Sequence, residues 1–251
     1  MDVPHYVMGN GSNLLVSDDG YRGVIVQISR NMSDIRVSGR KIWAQAGAML
    51  STVARRAMES SLTGMELLSG IPGTVGGALT MNAGAYGAEM KDIVKSVLAL
   101  DEEGQIRELS CEEMMFGYRT SIAQQRNLVF LSVLLELREG DREQIVSAMD
   151  EIRRKRQEKQ PLELPSAGST FKRPEGYYAG ALIDEAGLRG YRVGGAQVSE
   201  KHCGFVVNAG GATARDVIEL IENVQQIVFE NSGVRLEPEV RMLGCEAVGG
   251  E

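Results

Sequence analysis

Gly70-Ile71-Pro72-Gly73-Thr74-Val75-Gly76-Gly77, continuing through Met81-Asn82-Ala83-Gly84-Ala85-Tyr86-Gly87, is the stretch on which the reading of this fold turns. Six glycines, a proline and small side chains leave the backbone open to close approach by a flat or phosphorylated ligand. A turn that served only to reverse the chain would rarely need so many. The segment therefore points to cofactor contact, with a short helix expected near Thr74–Met81 inside an otherwise irregular run.

Working outward, the residues on either side are rich in strands. Gly23–Ile28, with Val24, Ile25 and Val26, reads as a buried strand, and Ile35–Val37 and Lys41–Ala46 as short strands joined at Gly39. Leu50, Val53, Ala54, Ala57 and Met58 recur at helical spacing and predict a helix over Leu50–Ser60. Val94–Leu100, Ile106–Leu109 and Leu128–Leu137 read as further strands. Glu143–Gln160 is helical, with Ile145, Met149 and Ile152 on one face. Arg153-Arg154-Lys155-Arg156 reads there as a solvated run of cations complementing the helix dipole. Pro161 and Pro165 end that helix. Helices are predicted again over Ala179–Ala186 and Ala214–Phe229, the second capped near Thr213 or Asn208 and striped by Val217, Leu220, Ile221, Val224 and Val228. Short strands at Val193, Ala196–Val198 and Phe205–Val207 lie between them. The fold class is α+β.

Composition narrows the function. The chain has 251 residues, 43% hydrophobic and 24% charged, and no apolar run of the ~20 residues that span a bilayer. Met1–Tyr6 lacks the basic and apolar regions of a secretory signal. Three cysteines, Cys111, Cys203 and Cys245, are odd in number and widely spaced, and there are two histidines. A cytoplasmic, metal-free protein is expected. A net charge of −7 argues against nucleic acid as a partner, while leaving room for a phosphorylated small molecule held by local basic loops.

Four further segments could carry chemistry. Gly9-Asn10-Gly11-Ser12-Asn13 is not a Rossmann fingerprint, since Leu14 replaces the third glycine and a strand-like Leu14-Leu15-Val16 comes next where a helix is required. It can act as a nest of backbone N–H groups for a pyrophosphate or as a plain turn. Ser166–Pro174 sets the Ser169 hydroxyl in a Gly-flanked turn ahead of Lys172 and Arg173, which suits an anionic substrate that must accept a proton; an ordinary loop with an exposed serine reads equally well. Phe116–Ser121 places Arg119 beside the phenol of Tyr118, either as a fork for a carboxylate or as a surface arginine. Glu239, in the extended Leu236–Arg241, is on its own a solvated strand residue.

Taken together, Gly9–Val16, Gly70–Gly87, Tyr118–Ser121, Gly168–Pro174 and Leu236–Gly244 resemble the UDP-N-acetylenolpyruvoylglucosamine reductase family, in its order and over nearly the whole chain. Direct passage from Tyr118 to Leu128 is similar to the shorter type of that family. The resemblance implies a two-part FAD-binding region of the vanillyl-alcohol-oxidase (PCMH) type and a smaller α+β substrate domain. On that reading residues 1–140 bind FAD, 141–165 are helix and linker, 166–235 bind substrate, and 236–251 return to the active site as a strand. It also implies non-covalent FAD, NADPH as reductant, and a UDP-sugar substrate. Ser169 would be the proton donor, with Arg119 and Glu239 on the substrate carboxylate. Gly9, Asn10, Gly11, Ser12, Asn13 and Leu14, with Ile71, Pro72, Gly73, Thr74, Gly76, Gly77, Asn82, Gly84 and Ala85, would hold the cofactor. Tyr118, Lys159, Lys172 and Arg173 would contact substrate. Family members usually carry a strand–helix unit before the Gly-x-Gly-Ser-Asn loop, which here begins at residue 9. The first FAD subdomain is therefore expected to be shortened, with an exposed strand edge or unfilled core face. A non-catalytic remnant that binds flavin or UDP-sugar is the alternative reading.

Overall fold

The computed structural model describes residues 3–245 and divides into two compact units, each with its own core. One consists of His5–Gly11 and Ile25–Lys155. Among the described residues the other takes the chain up to Pro4, Ser12–Val24, and everything from Arg156 on. Residues 1–2 of the expected first domain and 246–251 of the expected terminal strand lie outside the described residues.

The first unit is built on a five-stranded antiparallel sheet in the order Ile106–Ser110, Val94–Leu100, Val129–Glu136, Lys41–Gln45, Ile35–Ser38. Alternation along the central strand buries Phe130, Val133 and Leu135, with Val133 paired to Val97 on one side and Ala44 on the other. Helix α1, Leu50–Glu59, turns Leu50, Val53, Ala54 and Ala57 into this core. Helix α2, Val75–Thr80, begins at Thr74, whose hydroxyl accepts the Gly77 N–H at 3.4 Å and whose extended backbone starts the helix. Its Val75, Ala78 and Leu79 are buried.

One expectation for this part of the chain is overturned. Val24–Gln27 forms a strand, but an exposed one, with Val24 at 50%, Ile25 at 40% and Val26 at 45% of full exposure. Continuous apolar character suggested burial on both faces. The strand instead pairs with His5–Met8 in a two-stranded ribbon, which has too little width to cover two faces.

Helix α3, Arg142–Lys159, contains the division between the units, after Lys155. Ile145 and Ile152 are buried, and on its exposed side Arg153 pairs with Asp150 at 2.9 Å and Lys155 with Glu151 at 2.6 Å.

The second unit carries a four-stranded antiparallel sheet in the order Ser166–Ser169, Phe205–Asn208, Ala196–Val198, Arg192–Val193. Helices α4, Ala179–Glu185, and α5, Ala214–Ser232, complete its core, to which α5 contributes Leu220, Ile221, Val224 and Val228. Thr213 and Asp216 form a capping box at the start of α5. Asp18, far away in sequence, adds both carboxylate oxygens to the Ala214 N–H at 3.0 and 2.8 Å. Gly233, at φ +70°, closes the helix in the left-handed conformation that a Cβ disfavours. Leu14–Val16 pairs in parallel with Arg241–Leu243 in the same unit. The sequence reads Ser166–Ser169 as a turn; it is a strand. The glycine that suggested the turn, Gly168 at φ +84°, instead produces a register irregularity between Ser166 and Ser169. No helix of the described residues is long and apolar enough to cross a membrane.

Candidate functional site

In the second unit, Ser169 ends its strand exposed, and the chain then runs beside the segment that holds Glu239. Thr170 is the junction. Its carbonyl accepts the Glu239 N–H at 2.8 Å, its own N–H reaches the Gly204 carbonyl at 2.9 Å, and its buried hydroxyl accepts the Val206 N–H at 2.9 Å. Phe171 bridges Pro238 and fills the core beneath. Asn13 closes the group: its side-chain amide donates to the Glu239 carbonyl at 3.1 Å, and its carbonyl accepts the Arg241 N–H at 3.0 Å. The backbone just after Ser169 is thus hydrogen-bonded to that of Glu239, which lies between the Phe171–Pro238 bridge and the strand Arg241–Leu243.

The basic residues beside them have partners of their own. Lys172 donates its N–H to the Glu237 carbonyl at 2.8 Å and pairs its Nζ with the Glu237 carboxylate at 3.0 Å. The Arg173 guanidinium lies 4.0 Å from the centre of the exposed Tyr178 ring, and its Nε donates to the Tyr177 carbonyl at 3.2 Å. Lys159 ends α3, exposed. Its charge and that of Arg189 act on His202, whose pKa is held below the ordinary histidine value first by burial and then by these cations. His202 Nδ1 accepts the Gly204 N–H at 3.1 Å, which puts the proton of the neutral ring on Nε2.

In the first unit the two glycine segments lie side by side. Asn10 donates from its side chain to the Pro72 carbonyl at 2.8 Å, and a Cβ on Gly9 would stand 2.1 Å from Thr74 Oγ1. Gly11, at φ +70°, turns the chain between them and the next strand. Close by in the same unit, Asn82 is fully buried. Its amide donates to the Gly117 carbonyl at 2.9 Å and to Glu89 at 3.1 Å, while its Oδ1 accepts the Lys91 N–H at 3.0 Å. Arg119 donates from Nη2 to the Gly84 carbonyl at 3.0 Å and stacks its guanidinium 5.1 Å from the Tyr118 ring centre. Asn82, Tyr86, Met115 and Arg119 all have positive φ, between 41° and 55°, a conformation that costs a non-glycine residue about 1–2 kcal/mol.

A family model described as UDP-N-acetylenolpyruvoylglucosamine reductase, C-terminal domain, matches residues 160–243, and one described as FAD binding domain matches residues 1–110. UDP-N-acetylenolpyruvoylglucosamine reductase of Caldanaerobacter subterraneus is 54% identical over 242 residues, which cover 96% of this chain and 80% of that protein. The chain belongs to the UDP-N-acetylenolpyruvoylglucosamine reductase family. The Clostridioides difficile reductase is 53% identical over the same shares of both chains. Among solved structures, the Thermus caldophilus reductase superposes with a TM-score of 0.85 at 38% identity, covering 96% of this chain and 86% of that one. The family's two-part architecture, an FAD-binding region followed by its own C-terminal domain, is the α+β arrangement expected of this chain.

Two residues that support the candidate site had no clear sequence signal. Thr170, which ties Ser169 to Glu239, is one threonine among several. Gln124, exposed and just after Ile122-Ala123, donates to the Arg119 carbonyl at 2.9 Å. The residues present fit FAD on one observation: where segments 9–11 and 72–74 approach, Gly9 has no side chain and cannot have one without displacing Thr74. Glycine-rich backbone held together in this way can present N–H groups to a pyrophosphate.

Proposed function

We propose that the chain catalyses the NADPH-driven reduction of UDP-N-acetylglucosamine enolpyruvate to UDP-N-acetylmuramate, with FAD held non-covalently. Bound FAD supplies the two-electron relay from NADPH to the vinyl carbon C3 of the enolpyruvyl ether. The chain's own residues manage the charge and the proton on the substrate. Negative charge that develops at C2 spreads into the adjacent carboxylate, which the Arg119 guanidinium binds and to which Glu239 donates through a proton-bearing carboxyl, an effect typically worth about 3 kcal/mol per donor. Ser169 gives its hydroxyl proton to C2. A serine is a weak acid in water, but the enolate-like carbon is strongly basic, so a positioned hydroxyl suffices. Tyr118, Lys159, Lys172 and Arg173 serve the sugar and diphosphate, and the segments Gly9–Leu14, Ile71–Gly77 and Asn82–Ala85 serve the cofactor.

The observation that carries this reading is the junction at Thr170, whose carbonyl takes the Glu239 N–H and so ties the residue next to Ser169 to Glu239 within one unit. A UDP-sugar substrate and NADPH suit an enzyme of the cytoplasm, and the net charge of −7 fits a small-molecule enzyme better than a nucleic-acid binder. The test is rapid-mixing absorbance of the FAD-loaded protein. Ser169→Ala should leave flavin reduction by NADPH unchanged and slow reoxidation by the enolpyruvyl nucleotide by about 10²-fold or more. Reoxidation of Ser169→Ala at the wild-type rate would remove Ser169 from the mechanism, and a wild-type flavin indifferent to this substrate would refute the activity.

A further inference from the structure

We propose that Gln124, with Asn82, is a positioning residue for Arg119, an inference that rests on the role given to Arg119 above. The two amides grip one short turn from opposite ends. Asn82 Nδ2 donates to the Gly117 carbonyl at 2.9 Å, and Gln124 Nε2 donates to the Arg119 carbonyl at 2.9 Å, with Tyr118 between. The turn closes on itself through Gly117 and Thr120, whose N–H and carbonyl groups exchange bonds of 3.1 and 3.4 Å. Both amides are anchored to the same element. Asn82 comes just after α2, and the Gln124 amide also reaches the Thr80 carbonyl at 3.3 Å in the last turn of that helix. Ser121 adds a bond from Oγ to the same Thr80 carbonyl at 2.9 Å.

The arrangement has a reason in the backbone. Arg119 sits at φ +55°, where an arginine does not stay unless its surroundings hold it. That conformation aims the side chain back across the turn, so that Nη2 meets the Gly84 carbonyl. Loss of the Gln124 bond releases the carbonyl of the strained residue itself, and the turn can relax to a negative φ that swings the guanidinium away. Asn82 is fully buried with its polar atoms bonded, so its replacement would disturb folding generally. Gln124 is exposed, so its replacement isolates the positioning effect.

The experiment uses the FAD-loaded protein. In Gln124→Ala, FAD affinity and the rate of flavin reduction by NADPH should stay within about twofold of wild type, while reoxidation by the enolpyruvyl nucleotide slows by about tenfold or more. Gln124→Lys, which keeps a donor of similar reach, should restore most of the rate. In an Arg119→Ala background, Gln124→Ala should cost nothing further, because the residue acts through Arg119. Amide exchange at Thr120 gives a reading independent of turnover, and its protection should fall in Gln124→Ala. Wild-type reoxidation in Gln124→Ala, an equal further loss in the Arg119→Ala background, or unchanged protection of Thr120 would each overturn the proposal. If the wild-type flavin is not reoxidised by this substrate, the proposed activity fails, and the exchange measurement still decides the positioning role.

Discussion

Replacing Gly9 with alanine tests the cofactor cradle at its tightest point. The new Cβ would lie 2.1 Å from Thr74 Oγ1, against an ordinary contact of 3.4 Å, so more than an ångström must be relieved. Segment 9–11 is held to segment 72–74 by the 2.8 Å bond from Asn10 to the Pro72 carbonyl. Moving apart by that amount stretches this bond beyond hydrogen-bonding reach, at a net cost of about 0.5–1.5 kcal/mol. Residual overpacking raises the total to about 1–3 kcal/mol. If FAD requires the two segments at their present separation, its Kd should rise by about 5- to 150-fold. Flavin fluorescence quenching measures the Kd, and urea unfolding without FAD measures any loss of the fold itself. The cause is separable: Thr74→Ala removes Oγ1 and leaves Thr74 Cβ at 3.3 Å as the near atom, so in that background Gly9→Ala should be almost silent. Gly9→Ala binding FAD with wild-type affinity would refute the cradle. So would a penalty that persists in full once Thr74 Oγ1 is gone.

Three further outcomes concern the second unit. Asp18→Ala should lower its urea midpoint by the equivalent of about 0.5–2 kcal/mol with the slope unchanged, since α5 loses a long-range cap, and Asp18→Asn should recover most of it. Leu220, fully buried on α5, should cost about 2–5 kcal/mol on truncation to alanine in the same assay. His202, whose folded pKa is depressed, binds its proton more readily in the unfolded chain, so stability should fall as pH drops below about 6.5. Thermal melts of His202→Gln between pH 7.5 and 5.5 should show a shallower decline than wild type, and parallel declines would exclude this source.

Elements with strong local patterns were legible in the sequence. Leu50, Val53, Ala54 and Ala57 fix a helix by spacing alone, and of the two cap candidates, Thr213 and Asn208, Thr213 is the one that caps α5. Val24–Val26 misled because an apolar run carries no information about what covers it; width of the sheet decides that, and sheet width is a tertiary fact. Gly168 misled for a related reason, since a positive φ is required both by turns and by irregular strand pairing. Of the candidate site, the residue types that carry the proposed chemistry, Ser169, Arg119 and Glu239, stood out by their neighbours. Their supports did not. Thr170 and Gln124 act by bonds to backbone groups 36 and 5 residues away, and no spacing rule encodes such a partner.

The bond from the Asn13 side chain to the Glu239 carbonyl spans 226 positions, and the parallel pairing of Leu14–Val16 with Arg241–Leu243 spans as much. During synthesis, therefore, Asn13 leaves the ribosome 226 residues ahead of the partner it must wait for. The unit formed mainly by Ile25–Lys155 can close in the meantime, because its sheet draws on residues already made. Loop-closure entropy makes the late joining slow. Until it happens, the strand-forming Leu14-Leu15-Val16 has an unpaired edge and is open to wrong pairing. Refolding should accordingly be biphasic, the slow phase belonging to the unit that holds both Ser169 and Glu239, so that the bond tying Thr170 to Glu239 is made last.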